Sequence, residues 1–219
     1  MRALVTGGTG RLGSAIADRL EGAGHAVVAA GSSEADLSRP NDARALVDRA
    51  AAELGGLDLL VQAAGDGFAP KPVEEVTEAD WDAAFGVTAK GSFFLVQGAA
   101  RHLRASRGTV VLIEDVAAYQ AWPSFAAHCA AKAAQSMLTR VFARALAPEV
   151  RVCGVAPGPV AVLPEQEERR AAETLLRRVG SPSDVADAVL YLAGASFVTG
   201  TTLVVVGGRL LESGRARGA

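Results

Sequence analysis

The sequence predicts an α/β fold, a doubly wound, mostly parallel sheet of seven strands with helices on both faces. Three observations carry that expectation. The chain opens Arg2-Ala3-Leu4-Val5-Thr6, an apolar run that breaks into Gly7-Gly8-Thr9-Gly10 and then into the helical pattern of Ser14-Ala15-Ile16. Strand, tight turn and helix follow from that order. Apolar runs of strand length recur at 25–30, 57–65, 108–113, 150–156 and 203–206, separated by longer helical patterns. Finally, 219 residues, half of them hydrophobic, can bury one sizeable core without disulfides or metals. One domain, 1–219, is expected, with a flexible tail from about residue 209.

Composition excludes several classes of partner. Twenty-two Lys and Arg against 24 Asp and Glu leave a net charge of −2, which gives no case for nucleic acid or an anionic membrane. A small-molecule substrate is expected instead. Cys129 and Cys153 are too few for a disulfide framework, and with three histidines they offer no zinc spacing. Both thiols are read as reduced core residues. The chain starts at once with a strand, and no apolar run reaches the length of a bilayer span, so a cytoplasmic protein is expected.

The glycines of the first turn let the backbone approach a diphosphate closely, and the following helix points its free N–H groups and positive dipole end at the anion. A second strand over 25–30 ends in Gly31-Ser32-Ser33 with no carboxylate to take the 2′-hydroxyl of NAD. Ser32, Ser33 and Arg11 are positioned to bond a 2′-phosphate, which favours NADP(H) over NAD(H); two solvated turn serines are the alternative. Ala35-Asp36-Leu37 reads as a very short third strand, with no room for a helix before it. Asn41 is the expected N-cap of a helix to Leu54 that Gly55-Gly56 closes.

Small residues at Ala63, Ala64 and Gly65, after the fourth strand, would let a ribose lie against the backbone. A loop follows over 67–72. Thr77-Glu78-Ala79-Asp80 opens a long helix to about His102 whose apolar residues point to more than one side, as in a core helix that also packs on another subunit. The fifth strand ends in Glu114 and Asp115, at the edge where parallel sheets do chemistry. A loop with Tyr119, Trp122 and Pro123 leads to a helix over 124–146, where His128 and Lys132 share a face amid alanines. Pro157-Gly158-Pro159 stops the sixth strand, residues 164–178 read as a short lid or a solvated connector, and Ser181 opens a helix to Leu192 before the last strand.

The stretch from Thr6 to Gly13, Ala63-Ala64-Gly65, Ala130-Ala131-Lys132-Ala133-Ala134, Ala156-Pro157-Gly158 and Val198-Thr199-Gly200 with Gly207-Gly208 resemble the short-chain dehydrogenase/reductase family over nearly the whole chain. That resemblance implies a single Rossmann-type domain of seven parallel strands, NAD(P), and a homodimer or homotetramer. It also implies cofactor contacts at Gly7, Thr9, Arg11, Leu12, Gly13, Ser32, Ser33, Asp36, Leu37, Ala63, Ala64, Gly65, Lys132, Pro157 and Gly158.

The departures fall on the chemistry. Four residues before Lys132, where the family has its tyrosine, stands His128, and thirteen before that, in the serine's place, stands Asp115. The helix asparagine falls on Thr88, and the family's Asn-Asn-Ala-Gly turn reads Gln62-Ala63-Ala64-Gly65. Arg11 together with Asp115 resembles the pteridine reductases. Imidazole titrates nearer neutrality than phenol and donates a proton as well, though it is shorter, a gap that Tyr119 could fill. The resulting expectation is an NADPH-linked reduction of a carbonyl or imine, including a pterin-like ring. Asp115 orients or protonates, His128 acts as acid/base and Lys132 holds the nicotinamide ribose. The alternative is a cofactor-binding protein with little turnover, a redox sensor or partner subunit.

Overall fold

A computed structural model describes residues 1–65, 69–160 and 162–211. β1 (Arg2–Thr6) buries Ala3, Leu4 and Val5 completely, and because successive side chains alternate, it feeds two cores at once. It lies inside a six-stranded parallel sheet with β2 (Ala26–Ala30), β3 (Leu59–Gln62), β4 (Thr109–Ile113), β5 (Arg151–Pro157) and β6 (Thr202–Val205), in the order β2-β1-β3-β4-β5-β6. On one face Leu4, Leu60, Leu112 and Val152 pack with residues of α2 (Pro40–Leu54), α4 (Gly91–Ser106) and α5 (Ala126–Leu146). On the other, Val5, Val61, Val111 and Val155 pack against Ile16 and Leu20 of α1 (Arg11–Gly22) and Val185 and Leu192 of α7 (Pro182–Gly194). α3 (Glu78–Phe85) and α6 (Glu167–Ala172) complete the set. The doubly wound α/β expectation holds.

The strand count is six and not seven, because Ala35-Asp36-Leu37 turns. Asp36 Oδ1 accepts from Ser38 N at 3.0 Å and Ser38 Oγ at 2.6 Å, and Arg39 N donates to Asp36 O at 3.0 Å. A parallel crossover needs a dozen or more residues, and the chain from β2 to residue 35 does not supply them. Asn41 is not the N-cap of α2. Arg39 holds that place, since Pro40, lacking an N–H, takes the first helical position. Asn41 instead accepts from Arg44 at 3.3 Å.

The long helix expected from Thr77 does start there, with a reciprocal capping box between Thr77 and Asp80, and it runs through a π turn (Gly86–Lys90) to Ser106. α5 begins at Ala126, after a 3₁₀ turn over Pro123–Phe125. Of the expected tail, Arg209–Leu211 form a 3₁₀ turn and 212–219 lie outside the described residues, as do 66–68 of the expected loop. No helix among the described residues is long and apolar enough to cross a membrane.

The chain winds outward from β1 in both directions, so β1 and β3 flank the point where strand order reverses, the usual place for a ligand crevice. The glycine turn closes tightly over it. Gly7 sits at φ +69°, and a Cβ there would come within 2.7 Å of the Ala63 backbone; a Cβ on Gly13 would overlap the Gly7 carbonyl oxygen. Gly13→Ala therefore forces α1 off the turn and is expected to lower the unfolding free energy by about 1–3 kcal/mol. Urea denaturation checks this, and an unchanged midpoint would mean that α1 shifts freely.

Candidate active site

Two neighbouring cavities open at the C-terminal edge of the sheet. The first, of about 650 Å³, is lined by Gly7, Thr9, Gly31, Ser32, Asp36, Leu37 and Ala63 to Gly65. α1 starts beside it with Gly10 at the N-cap, no side-chain cap and no acidic residue in its first turn, so its leading N–H groups and dipole are available to an anion. An uncapped helix behind a close-packed glycine turn fits the diphosphate of a dinucleotide. Gly65 faces open space, with nothing within 4 Å of where its Cβ would be.

The second cavity, of about 410 Å³, is lined by Arg11, Leu12, Ala63, Gly65, Asp115, His128, Lys132, Pro157 and Gly158. Arg11 and Ser32, paired in the sequence reading as a 2′-phosphate site, thus face different cavities. Gly13 packs beneath Gly7, and Ser33 is exposed, its hydroxyl bonded to Glu34. The sequence reading missed Glu34. Its Oε2 accepts from Gly31 N at 2.7 Å, placing a carboxylate in the turn after β2, and bonds from Ser33 and Gly31 hold it below the usual carboxylate range. The turn folds the chain back, so this acid arrives from three residues past the glycine and not from the strand's end. The carboxylate of Asp36, although at the first cavity, is taken by Ser38 and by Arg39 at 3.2 Å.

Asp115 leaves β4 with Oδ1 accepting from Ala117 N at 2.7 Å, which caps the 3₁₀ turn Val116–Ala118, and with Oδ2 3.5 Å from His128 Nε2. His128 lies in the first turn of α5, and Lys132 follows one turn later on the same face. Both side chains are buried, so the expected basic pair is not a solvated face. Lys132 Nζ donates to Ile113 O at 2.9 Å, to Glu114 O at 3.4 Å and to Gln135 Oε1 at 3.0 Å. Gln135 Nε2 in turn donates to Ser92 Oγ at 2.9 Å, and Ser92 Oγ to Thr88 O in the π turn. Gln135 and Ser92 were not foreseen; the only sequence signal was the i,i+3 spacing of Lys132 and Gln135. Burial pushes the Lys132 ammonium down from its ordinary value, against the opposing pull of the Asp115 and Glu114 charges.

Glu114, adjacent to Asp115, points to the opposite side of the strand exit. Its buried carboxylate accepts from Thr139 Oγ1 at 2.7 Å, Thr202 Oγ1 at 3.1 Å and Tyr119 OH at 3.2 Å. Tyr119 therefore does not extend the reach of His128, since its hydroxyl is committed to Glu114 and, at 3.1 Å, to Ser136. On β3, Gln62 Nε2 donates to Val87 O at 3.2 Å and ties the strand to the π turn.

A family model described as enoyl-(acyl carrier protein) reductase matches residues 9–209. The chain belongs to the short-chain dehydrogenase/reductase family. Members of this family are NAD(P)-dependent oxidoreductases. Among short-chain dehydrogenase/reductase relatives, 4-formylbenzenesulfonate dehydrogenase of Comamonas testosteroni is 34% identical, over 94% of this chain and 96% of its own length. The ligand-free aldohexose dehydrogenase of Thermoplasma acidophilum superposes with a TM-score of 0.93 at 26% identity, covering 99% of this chain and 96% of that one. A gluconate 5-dehydrogenase of Burkholderia cenocepacia, solved with NADP and tartrate, gives 0.87 at 28% identity, covering 96% and 95%.

The buried lysine makes stability depend on pH in a defined direction. Its folded-state pKa lies below the ordinary 10.5, so over the window between the two the unfolded chain binds more protons than the folded one. Stability contributed at this site therefore rises as pH climbs toward 10.5. Urea unfolding of wild type and Lys132→Met is expected to show wild type gaining on the variant as pH rises toward 10.5. Parallel pH profiles would mean that the ammonium is not desolvated.

Proposed function

We propose that residues 1–219 form one nicotinamide-nucleotide-binding domain that catalyses NADPH-linked reduction of a carbonyl or imine. The observation that carries this reading is the Asp115–His128 pair, 3.5 Å apart, at a cavity that Gly65, Pro157 and Gly158 also line. The nucleotide, when bound, supplies the hydride. The glycine turn and the uncapped start of α1 bind its diphosphate, and Ala63, Ala64 and Gly65 accept the ribose closely. His128 is the acid/base of this reading and passes a proton to the substrate oxygen or nitrogen. Asp115, fixed by Ala117 N, orients the imidazole. Lys132 keeps α5 in register with the exit of β4, and its long 3.4 Å bond to Glu114 O is the one exchanged for the nicotinamide ribose in this reading.

NADP(H) is preferred in this reading because Ser32 lines the first cavity, Glu34 does not, and the Asp36 carboxylate there is taken by Ser38 and Arg39. Tyr119 is turned to Glu114, so the reading rests on the carbonyl or imine and takes the pterin-like ring no further. A homodimer or homotetramer is supported by the exposed apolar side chains of Phe93 on α4 and Met137 and Val141 on α5.

Titration with NADPH and NADH, followed by tryptophan or nicotinamide fluorescence, is expected to show the tighter complex with NADPH. His128→Ala is expected to lower kcat by about 10²–10⁴-fold and leave the nucleotide Kd unchanged. Full turnover in that variant would remove His128 from the chemistry. Nucleotide binding with no turnover of any carbonyl by wild type would favour a binding protein instead.

A further inference from the structure

Past Gly158 the second cavity runs into a third space of about 650 Å³, which shares Asp115, Gly158 and Gln166 with it. The walls of this space are of two kinds. Trp122 and Phe125 supply aromatic surface, and Arg169, Arg170 and Arg209 bring three guanidiniums. These cations come from two distant parts of the chain, α6 and the turn after β6, and converge on one opening.

Charge within the group does not balance. Arg209 pairs with Glu173 at 3.0 Å and Arg170 pairs with the same carboxylate at 3.1 Å, so two guanidiniums share one acid. Arg169 has no ion-pair partner among the described residues. Arg209 is also held over the Trp122 ring, 5.4 Å from its centroid, which fixes a cation at the aromatic wall. Pinning α6 to the C-terminal turn accounts for Arg170 and Arg209 as partners of Glu173. It leaves Arg169, and the positive surplus beside a carboxylate-bearing catalytic pair in a chain of net charge −2, without a structural reason.

We infer that this space is a recognition subsite for an oxyanion, and that the substrate carries a carboxylate, sulfonate or phosphate on an apolar or aromatic body, with its reducible group at the other end. The inference rests on the oxidoreductase reading above for the identity of the reacting end. The anionic end is bound by Arg169 with Arg209 beside it, since guanidinium offers paired donors to a planar oxyanion. The body lies along Trp122 and Phe125, and Asp115 and His128 meet the carbonyl or imine.

The probe is benzoate, with benzyl alcohol as its neutral counterpart. Trp81→Phe leaves Trp122 as the remaining one of the two tryptophans, so its fluorescence reads occupancy of this space directly. Benzoate is titrated with and without nucleotide. It is expected to bind at least about tenfold more tightly than benzyl alcohol, less tightly as salt rises, and about tenfold more weakly in Arg169→Gln and Arg209→Gln. Benzyl alcohol and nucleotide binding should not move in Arg169→Gln, an exposed position that spares the Glu173 pairs.

Phenyl phosphate and benzenesulfonate rank the oxyanions. In turnover, 4-carboxybenzaldehyde should exceed benzaldehyde in kcat/KM, and Arg169→Gln should erase the difference through KM. Equal binding of benzoate and benzyl alcohol, no benzoate binding even at tens of millimolar, or wild-type benzoate affinity in Arg169→Gln each overturns the inference, whether or not nucleotide binds. Failure to bind nucleotide, with benzoate still discriminated, would instead overturn the oxidoreductase reading and leave the subsite standing.

Discussion

The ammonium of Lys132 is buried where α5 crosses the exit of β4, and taking such a charge out of water costs several kcal/mol unless it is closely surrounded by acceptors. The carbonyls of Ile113 and Glu114 and the amide oxygen of Gln135 surround it. Two of those acceptors belong to the strand exit and one to the helix itself, so the lysine fixes the rotation of α5 against β4. His128, a turn earlier on the same face, is thereby brought to Asp115. Through Gln135 and Ser92 the constraint extends to the π turn, where Thr88 lines the second cavity. The site is held by backbone carbonyls more than by charge pairing.

That constraint also divides the two consecutive acids. Asp115 faces the cavity because its other oxygen is anchored on Ala117 N. Glu114 is drawn to the opposite side by three hydroxyls from α5, β6 and the loop before α5, and a Cβ on Gly154 would occupy the place of its carboxylate. The glycine in β5 is thus what allows a carboxylate to be stored inside the molecule, and that carboxylate in turn occupies Tyr119. His128, and not Tyr119, is therefore the ring that lines the second cavity.

Much of this was legible in the amino-acid order. The strand, glycine turn and helix at the start are written in residues that permit little else, and the apolar runs of the central strands are bounded by glycine and proline. His128 and Lys132 could be placed on one helical face from their spacing, whereas Asp115 was joined to them by the family resemblance. What failed was competition between side chains and backbone. Asp36 looks like the middle of a strand until its carboxylate takes Ser38. Asn41 looks like a cap until the ring of Pro40 claims the first helical position. Alternation separates Glu114 from Asp115 but cannot say which side holds the hydroxyls. Arg11 and Ser32 were paired around one 2′-phosphate, yet the turns after β1 and β2 direct them to different cavities. The meeting of Arg169 and Arg170 with Arg209 is tertiary, and no local pattern announces it.

The segment that carries α6 leaves just past β5 and returns to the same point before α7. Val160 and Gly180 form a parallel bridge, and Gly180 N donates to Pro159 O at 2.9 Å, so the excursion is pinched at its base. The first cavity, between the glycine turn and the exits of β2 and β3, lies on the other side of that pinch. Arg169 and Arg170 therefore reach the third space on a closed excursion, while Trp122, Phe125 and Arg209 reach it from outside. A lineage built on this scaffold can exchange the excursion as a cassette and alter one wall of that space while the glycine turn and the first cavity stay unchanged.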